Sequence, residues 1–102
     1  MDKSYPKIVL LTGATSGIGA ATAKVFAKNG YRLILTGRRM ERLEELKQKL
    51  EFKYGTKILI LGFDVRNQQE VRDVVSSLPD DWSAIDILIN NAGLAKGLSP
   101  IH

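Results

Sequence analysis

Between Thr12 and Gly19 the chain reads Thr-Gly-Ala-Thr-Ser-Gly-Ile-Gly, a turn set between a short apolar run and a helical pattern. Residues of these types at this spacing can hold a pyrophosphate. Gly13 permits a tight turn, Gly17 lets backbone approach the phosphates, and Gly19 lets the next helix pack close to the strand. The helix that opens at Ile18 would present free N–H groups and a partial positive charge. The hydroxyls of Thr15 and Ser16 would add donors. The glycines are spaced by three residues and then one, which departs from the G-x-G-x-x-G fingerprint. The strand–turn–helix setting is nevertheless the one a dinucleotide-binding turn requires.

Three more groups fall at the ends of apolar runs. Thr36-Gly37-Arg38-Arg39 stands about 20 residues past the glycine turn, where the adenosine ribose of a bound dinucleotide would lie. An acid there would accept from a ribose 2′-OH. This chain has a glycine and two arginines, and a guanidinium fork matches a 2′-phosphate. The plainer alternative is that Arg38 and Arg39 only open a charged helix. Asp64-Val65 could meet an adenine edge, or Asp64 could cap the turn into the following helix. Asn90-Asn91-Ala92-Gly93 offers amides that can bind backbone and ligand together, with Ala92 and Gly93 leaving room for a cofactor. Turn chemistry alone would also explain the asparagines.

Positioning these groups takes an alternation of two periodicities. Lys7–Thr12 reads as a strand buried on both faces. Ile18, Ala21, Thr22, Val25 and Phe26 recur at helical spacing up to Asn29, and Gly30 is a stop. Tyr31–Thr36 is a second strand. Met40–Tyr54 is the clearest helix, with Leu43, Leu46 and Leu50 inward, Glu45 and Lys49 outward, and Gly55 ending it. Lys57–Phe63 is a third strand. Asn67 and Glu70 resemble a capping box before a helix that buries Val71, Val74, Val75 and Leu78, and Pro79 stops it. Ile85–Ile89 is a fourth strand, and turn and loop follow to His102. The order βαβαβαβ makes the strands parallel, in an α/β doubly wound, Rossmann-type sheet. All four candidate groups then converge on the carboxyl ends of the strands.

Composition excludes several other classes. The 102 residues allow one domain at most, with 44% hydrophobic and 25% charged residues. Without cysteine there is no disulfide framework, thiolate metal site or cysteine nucleophile, and the one histidine, His102, cannot form a metal cluster. The net charge is +4; along the helical stretch Arg38–Lys53, Lys and Arg interleave with Glu, and no aromatic-basic stripe accompanies the charge, so no nucleic-acid partner is expected. No signal peptide or membrane span is legible, which makes a cytoplasmic location and no membrane partner the expectation. Trp82 reads as a partly buried anchor, and Asp80-Asp81 as a solvated turn.

Taken together, Thr12–Gly19, Asp64 and Asn90–Gly93 resemble the short-chain dehydrogenase/reductase family in order and spacing, over nearly the whole chain. Within it, Leu78-Pro79, Trp82, Ile85–Ala95, Gly97 and the Gly37-Arg38-Arg39 step are similar to the NADP-dependent serine/3-hydroxy acid dehydrogenase branch. The resemblance implies NADP as cofactor, with Gly13–Gly19 on the pyrophosphate and Arg38 and Arg39 on the 2′-phosphate. Asp64 and Val65 would contact adenine, Asn90 a ribose, Asn91 would stitch neighbouring strands, and Ala92-Gly93 would line the cofactor channel. The family's proton-transfer serine, Tyr-x-x-x-Lys pair and further asparagine lie downstream. Here Tyr5, Tyr31 and Tyr54 have no lysine four residues later, so no catalytic residue is expected in this chain. It reads as the N-terminal part, 1–102, of one larger domain, whose parent would be a homo-oligomer acting on a small molecule. A non-catalytic NADP(H)-sensing module is the alternative to an enzyme, and a Tyr-x-x-x-Lys beyond His102 would decide between them.

Overall fold

The computed structural model describes residues 7–63 and 68–91. Its elements are β1 (Ile8–Thr12), α1 (Gly17–Lys28), β2 (Arg32–Gly37), α2 (Met40–Tyr54), β3 (Ile58–Gly62), α3 (Gln68–Ser76), a 3-10 turn at Asp80–Trp82, and β4 (Ile87–Asn90). The four strands form one sheet in the order β3-β2-β1-β4, and every pairing is parallel. The chain thus winds outward from β1 through β2 to β3, then returns to the other side of β1. The topological switch point falls between β1 and β4, and ligands of such sheets lie outside the carboxyl ends of the strands there.

Side-chain alternation divides the sheet into two apolar layers, as period-two geometry demands. Val9, Leu11, Leu33, Leu35 and Ile58 pack with Ala23 and Ala27 of α1 and Leu43 and Leu50 of α2. Ile8, Leu10 and Ile34 face the other way, under Leu78, Trp82 and Ile85. Because both faces are covered, β1 is buried along its whole length. That is why its sequence is a continuous apolar run.

The inward face of α1 differs from the one its apolar residues suggest. Ile18 and Val25 are 59% and 56% exposed, and Ala21 is exposed as well. Gly19, Ala23 and Ala27 are the buried positions, with Phe26 packed partly against the same layer and edge-on to Tyr31. The helix lies so close to the sheet and the glycine turn that only small residues fit beneath it. In α3 the expected burial is also incomplete: Val71 and Val74 are half-buried and Val75 is 37% exposed, while Leu78 packs past the helix end. Asn67 of the expected capping box lies outside the described residues.

The amino ends of the strands are tied together. Ile8 N–H donates to the Asp86 carboxylate at 2.9 Å, and Asp86 N–H donates to the Ile8 carbonyl at 2.9 Å. Arg32 lies 4.8 Å over the Trp82 ring and donates from Nη2 to the Asp81 carbonyl at 2.9 Å. Trp82 is thus a half-buried anchor, and no helix among the described residues is long and apolar enough to cross a membrane.

Candidate functional site

At the opposite edge, β1 ends in Thr12 and the chain turns at Gly13, whose φ of 61° lies in the left-handed region that favours glycine. Ala14 N–H donates to the Thr36 carbonyl at 3.1 Å, which ties the turn to the end of β2. Ser16 is the N-cap of α1: its Oγ accepts from Gly19 N–H at 3.0 Å and donates to the Gly13 carbonyl at 3.0 Å. The serine expected to add a donor for phosphate therefore spends its hydrogen closing the turn. The first-turn N–H groups of Gly17 and Ile18 have no intrahelical acceptor available to them.

The two later glycines do different work. A Cβ at Gly19 would stand 2.0 Å from the Gly13 carbonyl oxygen and 2.9 Å from Ala14 Cα, so this residue sets how closely α1 rests on the turn. The contact is with the turn itself, one step beyond the strand that Gly19 was expected to meet. A Cβ at Gly17 would meet nothing within 4 Å, so this position faces open space.

One strand over, β2 ends at Gly37, and Arg38 and Arg39 follow, both exposed. Arg39 is the N-cap of α2, and no side chain caps that end. No carboxylate among the described residues holds either guanidinium. A Cβ at Gly37 would lie 3.5 Å from a Leu43 methyl, ordinary contact distance, so the start of α2 seats closely on the strand end.

Across the switch point, Thr12 pairs in register with Asn90, and Thr12 Oγ1 donates to Asn90 Oδ1 at 2.8 Å. Asn90, expected to meet a ribose, is thus also bonded to the end of β1. Asn91 is 2% exposed, and its Nδ2 has no partner among the described residues. Thr36, which sequence reasoning assigned no role, is fully buried at the end of β2 with its Oγ1 also unpartnered. A threonine in an apolar run gives no local sign of that. Asp64, Val65, Ala92 and Gly93 lie outside the described residues.

The sheet order therefore brings Gly13, Thr15, Gly17, Ile18, Arg38, Arg39, Asn90 and Asn91 to one edge. The glycine turn and the asparagines flank the switch point, and the arginines follow the end of β2, the strand next to the one that carries the turn. A dinucleotide phosphate fits this set: helix N–H groups, an open Cβ position at Gly17, an orphaned buried amide at Asn91 and unpaired cations are all present. Among the described residues no group of three or more His, Asp or Glu could hold a metal ion.

Known proteins share this architecture. The chain is 50% identical over 95 residues to the NADP-dependent 3-hydroxy acid dehydrogenase YdfG of Escherichia coli O6:H1, covering 93% of this chain and 37% of that protein. It is 47% identical over 92 residues to serine 3-dehydrogenase of Rhizobium radiobacter, covering 90% and 35%. Among solved structures, L-sorbose reductase from Gluconobacter frateurii, complexed with NADPH and L-sorbose, superposes with a TM-score of 0.75 at 37% identity. That superposition covers 81% of this chain and 32% of the reductase. The chain thus spans little more than a third of the length of the relatives it matches. The sequence model of the short chain dehydrogenases runs from Lys7 through His102 and takes in every strand, helix and turn described above, so this chain belongs to the short-chain dehydrogenase family.

Proposed function

We propose that this chain is the NADP(H)-binding front portion of an oxidoreductase that transfers hydride between NADP(H) and a small hydroxy acid or carbonyl compound. One observation carries the reading: on one sheet edge, on neighbouring strands, stand a turn that presents helix N–H groups and arginines that no carboxylate among the described residues holds. When bound, NADP(H) supplies the hydride chemistry, and the protein supplies binding and orientation. The N–H groups of Gly17 and Ile18, with Thr15, take the pyrophosphate; Arg38 and Arg39 take the 2′-phosphate. Asn91 offers its unpartnered amide beside the switch point, where Asn90 and Thr12 hold β4 to β1. The dehydrogenases named above, which act on 3-hydroxy acids and serine, support a hydroxy acid as the substrate class.

Among the described residues none is placed to move the substrate proton. Hydride transfer without a positioned acid or base forfeits about 10²–10⁴-fold, so residues 1–102 alone turn over no hydroxy acid. Spectrophotometric assay of that stretch with NADP⁺ and a panel of 3-hydroxy acids checks this, and ordinary enzymatic turnover would refute it. The cofactor reading is tested by calorimetric titration of the full-length protein with NADP⁺ and with NAD⁺. A preference for NADP⁺ on the order of 10–1000-fold is expected. Equal affinities, or tighter NAD⁺, would overturn it.

A further inference from the structure

The described arginines fall into different surroundings. Arg32 is engaged by Trp82 and Asp81, and Arg72 stands singly on α3. Arg38, Arg39 and Arg42 collect at one corner, where β2 hands over to α2. Arg42 N–H donates to the Arg39 carbonyl at 3.1 Å, which fixes Arg42 in the first turn of α2, one turn beyond the cap. At 100° per residue it projects about 60° from the direction of Arg39, with a rise of only about 4.5 Å between them. Side chains in helices lean toward the amino end. A long side chain at this position is therefore carried back over the cap, toward Arg38 and Arg39.

Arg42 is exposed, and no carboxylate among the described residues holds it, although Glu41, Glu44 and Glu45 lie on the same helix. Leu43 against Gly37 and Met40 over Gly62 seat this turn of α2 on the ends of β2 and β3. The corner is thus fixed in place while its cations remain free to meet an anion.

We infer that Arg42 is a third specificity-determining residue, whose guanidinium meets the adenosine 2′-phosphate alongside Arg38 and Arg39. The inference rests on the NADP(H) reading above and adds a contact that the glycine turn and the strand end do not supply. The ligand group is a phosphate monoester carrying about −1.5 to −2 charges at neutral pH. Three guanidinium groups can distribute their donors over its three terminal oxygens. NAD(H) carries nothing at that position, so Arg42 contributes to one coenzyme and is indifferent to the other.

The test is titration of the full-length protein and its Arg42→Ala, Arg42→Lys, Arg38→Ala and Arg39→Ala variants with NADP⁺, NAD⁺ and 2′,5′-ADP, at two salt concentrations. Arg42→Ala is expected to weaken NADP⁺ and 2′,5′-ADP about 3–10-fold, leave NAD⁺ unchanged and flatten the salt dependence of NADP⁺ binding. Arg42→Lys, which keeps the charge, should recover part of the loss. If Arg42→Ala binds NADP⁺ like the parent while Arg38→Ala or Arg39→Ala is impaired, the inference on Arg42 falls and the NADP(H) reading stands. Equal weakening of NADP⁺ and NAD⁺ by Arg42→Ala would mark a structural role and overturn the inference. If no variant changes the NADP⁺ to NAD⁺ ratio, both fall together.

Discussion

Replacing Gly19 by alanine probes the closest approach in the site. The added Cβ would stand 2.0 Å from the Gly13 carbonyl oxygen, about 1.3 Å short of an ordinary carbon–oxygen contact of about 3.3 Å. The obstacle is backbone at Gly13 and Ala14, so no side chain can swing aside to relieve it. The first turn of α1 must lift, and with it go the bonds from Ser16 N–H and Ser16 Oγ to the Gly13 carbonyl, at 3.2 and 3.0 Å. Overpacking of this kind costs about 1–3 kcal/mol, and a disturbed N-cap adds about 1 kcal/mol. The helical preference of alanine over glycine returns at most about 1 kcal/mol. A net loss of about 1–3 kcal/mol in stability is the expected outcome.

Binding should suffer by a separate route. A displacement of about 1 Å in positioned groups can cost on the order of 10²-fold, so both NADP⁺ and NAD⁺ should bind about 10–100-fold more weakly, because the pyrophosphate is common to them. Gly17→Ala is the matched control. Its Cβ meets nothing of the protein within 4 Å, so stability should hold while dinucleotide affinity falls. Thermal unfolding and calorimetric titration of the two full-length variants decide the matter. A Gly19→Ala protein that melts and binds like the parent would refute the reasoning, as would a Gly17→Ala protein that loses stability and keeps its affinity.

Three further outcomes are expected. Gly37→Asp with Arg38→Leu should shift preference toward NAD(H), since a side chain at 37 meets only ordinary contact with Leu43; paired titrations that still favour NADP⁺ by the parental ratio would count against it. Arg32→Ala removes the hydrogen bond to Asp81 and the stack on Trp82, and should cost about 1–2 kcal/mol in chemical denaturation with no change in coenzyme affinity, because it acts at the far end of the sheet. Thr12→Val deletes the hydroxyl that donates to Asn90, and should lower stability by about 1 kcal/mol, read from the denaturation midpoint at unchanged m-value.

The elements were legible because their signals are local. The apolar runs of β1 and β2, the Leu43–Leu46–Leu50 stripe and the glycine turn each declare themselves within a few residues, and the parallel order follows from their alternation. What resisted reading depends on distance or on contact. On α1, Ile18 and Val25 outweigh Gly19, Ala23 and Ala27 in any hydrophobic pattern, yet close packing rewards the small residues and leaves the large ones outside. The bond that ties Asn90 to Thr12 joins residues 78 apart in sequence, which no local pattern encodes. Ser16 reads in sequence as a phosphate donor, and its bonds to the Gly13 carbonyl and from Gly19 N–H, which make it the cap of α1, depend on the closed turn.

The same split between satisfied and unsatisfied groups separates the two ends of the sheet. At the amino end, Asp86 and Ile8 bond to each other twice, and Arg32 has both an acceptor and a ring to rest on, even though its buried Nε lacks a partner. At the carboxyl end, Thr36 Oγ1 and Asn91 Nδ2 are buried without partners among the described residues, and three guanidinium groups around the cap of α2 find no carboxylate there. A buried polar atom left unsatisfied costs about 1–3 kcal/mol, so a fold that keeps two of them at the carboxyl edge has a less stable edge there than its core would allow. A ligand that supplies donors and acceptors to that edge recovers part of the cost on binding, and by mass action stabilises the folded chain in proportion. Substituting Thr36 by valine should therefore raise the melting temperature of the unliganded protein or leave it unchanged, since it removes an orphan hydroxyl without losing a bond. If the melting temperature fell by several degrees instead, the hydroxyl would have a partner in solution, and the contrast between the two ends would rest on Asn91 and the arginines alone.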